Sequence, residues 1–228
     1  MTSIDIQLAQ AAATLQRFTG QDLTRTLAKL EASVKRRTVV DVPEFLVEHH
    51  ISPDTLSAAA VLKQLAGQIN VMIHAAGILT CLPHILEDGE VVEYVSLGAG
   101  NAGRAFDLAT NLRIAEFKFI RWCGGAETIR QNALFKDLYL MAEEETGKRK
   151  VMYVLGTYHP LKFLTGGRAM SSVLSRNIKL EKDFRAKYGS QYAKMRDWYR
   201  DHGHKVELAD MSAWVPELIA LETMAVDE

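Results

Sequence analysis

The sequence predicts an α/β fold, a small mixed β-sheet flanked by helices, with helical N- and C-terminal extensions. Two observations carry this. Apolar residues recur at helical spacing over roughly the first third of the chain and again after Pro160. Between them lie four β-branched or alternating runs, "VVEYVSL", "RAFDL", "RIAEFKFI" and "KVMYVLGTY", with one helical stretch before the last. Helices, three strands, a helix, a strand and more helices make an α/β layout. The corresponding division is a helical region over 1–52, an α/β core over 53–158 and a helical extension over 159–228, within one compact domain.

Each element has a local reason. Ile4, Leu8, Leu15 and Phe18 form one apolar stripe, and Leu23, Leu27, Leu30 and Val34 form a second after Gly20, with Asp22 as its N-cap. Asp41 and Pro43 open a short third helix. Ser52, Pro53 and Asp54 then mark a strong helix start, and that helix is expected to run to about Leu82. After Pro83 the "EDGE" turn leads into the first strand. The "ATN" between "RAFDL" and "RIAEFKFI" suits a tight reversal, so these two runs are expected to form a hairpin. Glu127–Glu145 is helical by Ile129, Leu134, Leu138 and Met141, and "KVMYVLGTY" is apolar enough for a central strand. One helix over Pro160–Leu174, a long one from Ile178 to Arg200, and a short one after Pro216 complete the expectation.

Composition narrows the classes of function. With 48% apolar and 24% charged residues the chain is of ordinary globular type, and a net charge of -1 excludes a uniformly basic nucleic-acid coat protein while allowing a local basic face. Ile69–Leu82 is the longest apolar run, shorter than the ~20 residues of a membrane span, and is read as a buried helix with no membrane partner. The stretch "MTSIDIQLAQ" has no basic segment leading an apolar one, so no secretory signal is expected. Cys81 and Cys123 have no metal spacing and are read as reduced thiols, which places the protein in the cytoplasm.

"VSLGAGNAGRAFDLATNLRIAEFKFI" supports two chemistries. Gly98, Gly100 and Gly103 spell G-x-G-x-x-G after a strand, the pattern that cradles the pyrophosphate of NAD(P) or FAD, with Glu116 as the acid for the ribose. Against it, Glu116 is only thirteen positions after Gly103, and mostly helical sequence precedes the glycines. The alternative reading starts from Asp107 and from the pair Glu116 and Lys118. On a hairpin the two acids face each other, and alternation puts Glu116 and Lys118 on one side of their strand. Carboxylates are hard ligands for Mg²⁺ or Mn²⁺, ions that activate water and neutralise charge in phosphodiester hydrolysis. Lys118 would hold the attacking water or screen the phosphate, and the backbone carbonyl of Phe117 is a third possible ligand.

Asp107, eight intervening residues and Glu116-Phe117-Lys118, preceded by a long helix and followed by a helix and a strand, resemble the PD-(D/E)XK nuclease superfamily over roughly Pro53–Tyr158. The resemblance implies a restriction-endonuclease-like core, metal binding by Asp107 and Glu116, catalysis assisted by Lys118, DNA or RNA as substrate, and a homodimer as one form in which such nucleases act. Phe106 stands where the motif has proline. Some members add a glutamate from the first helix, but no carboxylate lies between Asp54 and Glu87, so Glu90 or Glu93 substitutes or a single metal binds. Gln131 and Phe135 occupy the place of a Gln-x-x-x-Tyr pattern, making Gln131 a further catalytic candidate.

Arg104, Arg130 and Lys136 are the candidate phosphate contacts. The segment Arg176–Arg200 holds eight Lys/Arg against three Asp/Glu, but its aromatics follow the apolar stripe and are read as core. His74, inside an apolar helix face, is read as a core histidine. A nuclease-like chain that binds nucleic acid without cutting it, and a helical interaction module, remain open as alternatives.

Overall fold

The computed structural model describes residues 3–19, 22–35, 37–98, 106–122, 124 and 127–219, with side chains from residue 8 onward. It divides into two compact units, Met1–Asn70 and Val71–Glu228.

The first unit contains α1 (Ser3–Thr19), α2 (Leu23–Val34), α3 (Val42–Glu48) and the first half of α4 (Pro53–Ile85). Asp22 caps α2 as its position suggests, accepting the Arg25 amide at 3.0 Å. Few side chains are buried here, Ala11, Phe45, Thr55 and Ala58 among them.

The second unit is built on a five-stranded mixed sheet in the order β1-β2-β3-β4-β5. The strands are β1 (Val92–Val95), β2 (Leu108–Thr110), β3 (Arg113–Lys118), β4 (Arg149–Val154) and β5 (Glu207–Asp210). β1, β2 and β3 run antiparallel in succession, whereas β3–β4 and β4–β5 are parallel. The helix α5 (Thr128–Glu143) makes the crossover between β3 and β4. The β2–β3 reversal is tied by its own side chains. Thr110 Oγ1 accepts the amides of Leu112 (3.1 Å) and Arg113 (2.8 Å), and Asn111 Oδ1 accepts the Val91 amide at 2.8 Å.

Each face of the sheet has its own core. Ile114, Met152 and Val154 pack with Leu134, Phe135, Leu138 and Met141 of α5. Ala115, Phe117, Val151 and Tyr153 pack on the opposite face with Ile78, Cys81 and Ile85 of α4. A Cβ on Gly77 would lie 2.4 Å from Cε1 of Phe119, so glycine there is what lets that ring reach the helix.

Four expectations need correction. The apolar run of α4 is not a buried helix: Ile78 and Cys81 are fully covered, but Val71, Met72 and Leu79 are exposed, because a sheet covers one face of a helix. The whole of α4 is one helix long and apolar enough to cross a membrane by length and composition, with a mean hydropathy of 1.5 over 18 residues and 17% of that window buried. The single helix over Pro160–Leu174 is two, α6 (Tyr158–Leu164) and α7 (Met170–Leu174), interrupted at Gly166-Gly167. The long helix Ile178–Arg200 is also two, α8 (Ile178–Tyr188) and α9 (Met195–His202), since Gly189 ends α8 at a φ of +56°. Finally, β5 lies in a region read as helical, where a short strand flanked by charged residues leaves little periodic signal.

The C-terminal helices belong to the core. Phe184 and Trp198 are fully buried against Phe135 and Tyr139, which agrees with reading the aromatics of 176–200 as packing residues. Residues 217–219 are helical, and the rest of the expected terminal helix lies outside the described residues.

Candidate active site

The β2–β3 register sets the spacing of the acids. Leu108 pairs with Ala115, so Asp107, just before β2, stands at the level of Glu116. The Asp107 amide donates to the Ala115 carbonyl at 3.1 Å, and its Oδ2 accepts the Phe117 amide at 2.9 Å. That second bond ties the Asp107 carboxylate to the edge of β3. A strand residue points its N–H and C=O to the same flank, so the Phe117 carbonyl faces the Asp107 side as well.

Alternation along β3 places Glu116 and Lys118 on the face covered by α5. Lys118 Nζ lies 2.7 Å from Glu116 Oε1 and 2.6 Å from Oδ2 of Asp137, a residue of α5. Lys136 Nζ is 3.3 Å from the other Asp137 oxygen, at the exposed rim. From the α4 side, His74 Nε2 approaches Asp107 Oδ1 at 3.2 Å. Asp107, Glu116 and Lys118 are thus gathered at one end of the hairpin, joined by His74 and Asp137.

Burial pushes the Glu116 carboxyl up to about 7; Lys118 pulls it down, and the Asp137 and Asp107 carboxylates push it further up. Burial alone would lower Lys118, but the carboxylates of Asp137 and Glu116 outweigh it and hold the ammonium charged. His74 is raised by its hydrogen bond to Asp107 against the opposing effect of burial, with the charges of Asp107 and Glu116 adding to the rise.

A consequence for stability follows in the metal-free protein. The native state keeps the Glu116 proton up to about pH 7, while an unfolded glutamate releases it near 4.5. Between those values the native state binds more protons, so stability falls as pH rises. Urea unfolding is expected to show the wild type losing on the order of 2–3 kcal/mol between pH 5 and 8 from this group. Glu116→Gln removes that part of the slope; identical slopes in both proteins would show that Glu116 is not strained by its charge.

The remaining sequence candidates fall elsewhere. Glu90 and Glu93 do not supply the missing carboxylate: Glu90 is held by Arg113, and Glu93 pairs with Lys148 at 2.6 Å. Gln131 lies on the first turns of α5 and lines a separate cavity with Lys162 and Arg168. Arg130 bonds Glu127 at 3.0 Å and the Arg121 carbonyl at 3.2 Å, with its side chain partly exposed. Arg104, Gly100 and Gly103 lie outside the described residues. Gly98 is described, with a φ of +84°. The strands that bracket the glycine segment, β1 and β2, are antiparallel neighbours. A dinucleotide unit needs a parallel pair joined by a crossover helix.

Sequence reasoning reads His74 as a core histidine, whereas it is part-exposed and faces Asp107, and it offers no signal for Asp137. A lone imidazole in an apolar helix and one acid in a mixed helix carry no spacing signal; their role depends on which strand each helix covers. No protein-family model, curated protein or solved structure matches the chain.

Among the described residues no group of three or more His, Cys, Asp or Glu side chains is gathered as a metal centre. The donor set that exists is two mutually repelling carboxylates and a backbone carbonyl. It suits one hard divalent ion that keeps much of its water, as Mg²⁺ does. His74 covers Asp107 Oδ1, an oxygen that a bound cation would require.

Proposed function

We propose that the chain is a metal-dependent nuclease that hydrolyses phosphodiester bonds of DNA or RNA at the Asp107–Glu116–Lys118 cluster. The observation that carries this is the join at the hairpin end, with Asp107 bonded to the Phe117 amide at 2.9 Å and Glu116 bonded to Lys118 at 2.7 Å. Two acids and an amine converge from adjacent strands. Support also comes from the order α4, β1–β3, α5, β4, with β3 and β4 parallel across α5, which is the order expected of a restriction-endonuclease-like core.

Asp107, Glu116 and the Phe117 carbonyl would hold one Mg²⁺ or Mn²⁺. Bound there, the ion supplies charge neutralisation on the phosphodiester and activation of water. The chain's own residues do the rest. Glu116 and Asp137 take two of the three N–H donors of Lys118 and fix its ammonium in place; the third is left for the attacking water or a phosphate oxygen. Lys136, exposed at the rim beside Asp137, would meet the nucleic-acid backbone.

The test is incubation with single- and double-stranded DNA and RNA in Mg²⁺, in Mn²⁺ and in EDTA. Cleavage that depends on the metal supports the proposal. Salt-sensitive binding with no cutting in either metal replaces it with a nucleic-acid-binding role.

A further inference from the structure

A second concave site lies where the chain leaves β3. It is a cavity of about 370 Å³ whose polar lining is Gln131, His159, Lys162 and Arg168, the rest being two aromatic rings and three glycines. We propose that this cavity binds a phosphomonoester.

Its charge is of one sign. Among the described residues no Asp or Glu lines it, and neither Lys162 nor Arg168 has a carboxylate partner. Arg168, half-buried, donates only to neutral hydroxyls, Ser172 Oγ at 3.1 Å and Thr128 Oγ1 at 3.4 Å. The Lys162 ammonium rests 5.8 Å from the centre of the Tyr158 ring. A half-buried guanidinium with no carboxylate partner and an exposed lysine at the rim match an anion, and the guanidinium fork suits phosphate oxygens. The other cavity with paired arginines, between α6 and α9, has Asp197 in its lining and is not of one sign.

Gln131 supplies an independent observation. Its Oε1 is buried and has no hydrogen-bond partner. A buried polar atom left unpaired is uncommon, and Gln131 is a lining residue of this cavity. The glycines let the walls close. A Cβ on Gly166 would come 2.9 Å from the Lys162 carbonyl oxygen, and one on Gly124, at a φ of +97°, would come 3.0 Å from His159 Cε1. The volume is at the small end for ligand cavities, enough for a phosphate and part of a sugar but not for a duplex.

The position relates this cavity to the hairpin site. Gln131 and Asp137 lie on the same helix, six residues and about 9 Å apart along its axis. A terminal phosphate seated here would therefore hold a strand end a few nucleotides from Lys118. That the phosphate belongs to a strand end rests on the hydrolytic reading; the anion site itself does not.

The experiment is calorimetry on the full chain in EDTA, using inorganic phosphate, AMP, and one short single-stranded oligonucleotide with a 5′-phosphate, a 3′-phosphate or hydroxyl ends only. Phosphate-bearing ligands are expected to bind at least about tenfold tighter than the hydroxyl-ended strand. Arg168→Gln and the exposed Lys162→Gln should each remove most of that difference, and Glu93→Gln, away from both sites, should leave it intact. AMP equal to the phosphorylated strand identifies a free phosphomonoester as ligand; a phosphorylated strand more than tenfold tighter than AMP identifies a strand end. Equal affinity for phosphate- and hydroxyl-ended strands, or unchanged binding in both cavity variants, overturns the proposal. Absence of cleavage with intact phosphate binding would defeat the hydrolytic reading alone, and cleavage without phosphate discrimination would defeat the cavity alone.

Discussion

Glu116→Ala is expected to lower metal-dependent cleavage by about a hundredfold or more while leaving the protein folded. Charge stabilisation by a catalytic cation amounts to several kcal/mol, and each 1.4 kcal/mol is about tenfold in rate. On the proposed reading Glu116 is one of the two carboxylates that would hold the ion, so its loss removes half of the proposed carboxylate ligands. The fold should survive because the Glu116 charge is disfavoured by burial, and Lys118 keeps its bond to Asp137 at 2.6 Å. Lys118→Ala should also abolish cleavage but cost more stability, since it leaves two buried acids facing each other. Glu93→Ala is the control, because Glu93 pairs with Lys148 away from the site. Cleavage by Glu116→Ala at the wild-type rate, measured with a labelled oligonucleotide over a range of Mg²⁺, would place the chemistry elsewhere.

Arg113→Ala should be the most damaging single substitution for the second unit, by about 3–5 kcal/mol. The guanidinium is 2% exposed and the Glu90 carboxylate fully enclosed. Arg113 donates from Nε and Nη2 to the two Glu90 oxygens, from Nη1 to the Tyr153 hydroxyl at 3.1 Å, and from Nη2 to Glu87 at 2.9 Å. Burial would raise Glu90, but hydrogen bonds from Arg113, Thr110 and the Glu87 amide bring it down to about 2. The stabilisation from this depressed carboxyl is fully present above about pH 4.5 and is lost as pH falls toward 2. Removing Arg113 leaves a buried anion, so the loss should be largest at neutral pH and shrink in acid, where Glu90 can take a proton. Pairing Arg113→Met with Glu90→Gln should restore part of the stability, because no unpaired charge then remains. Urea unfolding at pH 7 and pH 3 checks both statements; a loss below about 1 kcal/mol at pH 7 would mean water reaches this pair.

Gly67 and Gly77 did not break α4, yet Gly166-Gly167 and Gly189 did divide helices that the apolar stripes suggested were continuous. The stripes are the same on both sides of such a break, since both halves pack against one core. In α4, by contrast, the glycines keep helical φ values, and Gly77 is used for close packing with Phe119. The hairpin was legible because Thr110 acts locally, its hydroxyl accepting the amides of Leu112 and Arg113 within the turn, whereas Asn111 reaches the Val91 amide twenty residues earlier. β5 was not, because its place depends on β4, more than fifty residues earlier in the chain.

The sequence by itself determined the runs of β1 to β4, the β2–β3 reversal and, through period-two alternation, that Glu116 and Lys118 share a face. Those properties depend on neighbours in the chain and on the fixed geometry of an extended backbone. Only the tertiary structure decided that His74 faces Asp107, that Asp137 completes the Lys118 pairing, that Glu90 is held by Arg113, and that Gln131 opens into a basic cavity. Those are matters of which helix covers which face of the sheet, set by packing between residues far apart in the chain, and no local spacing encodes them.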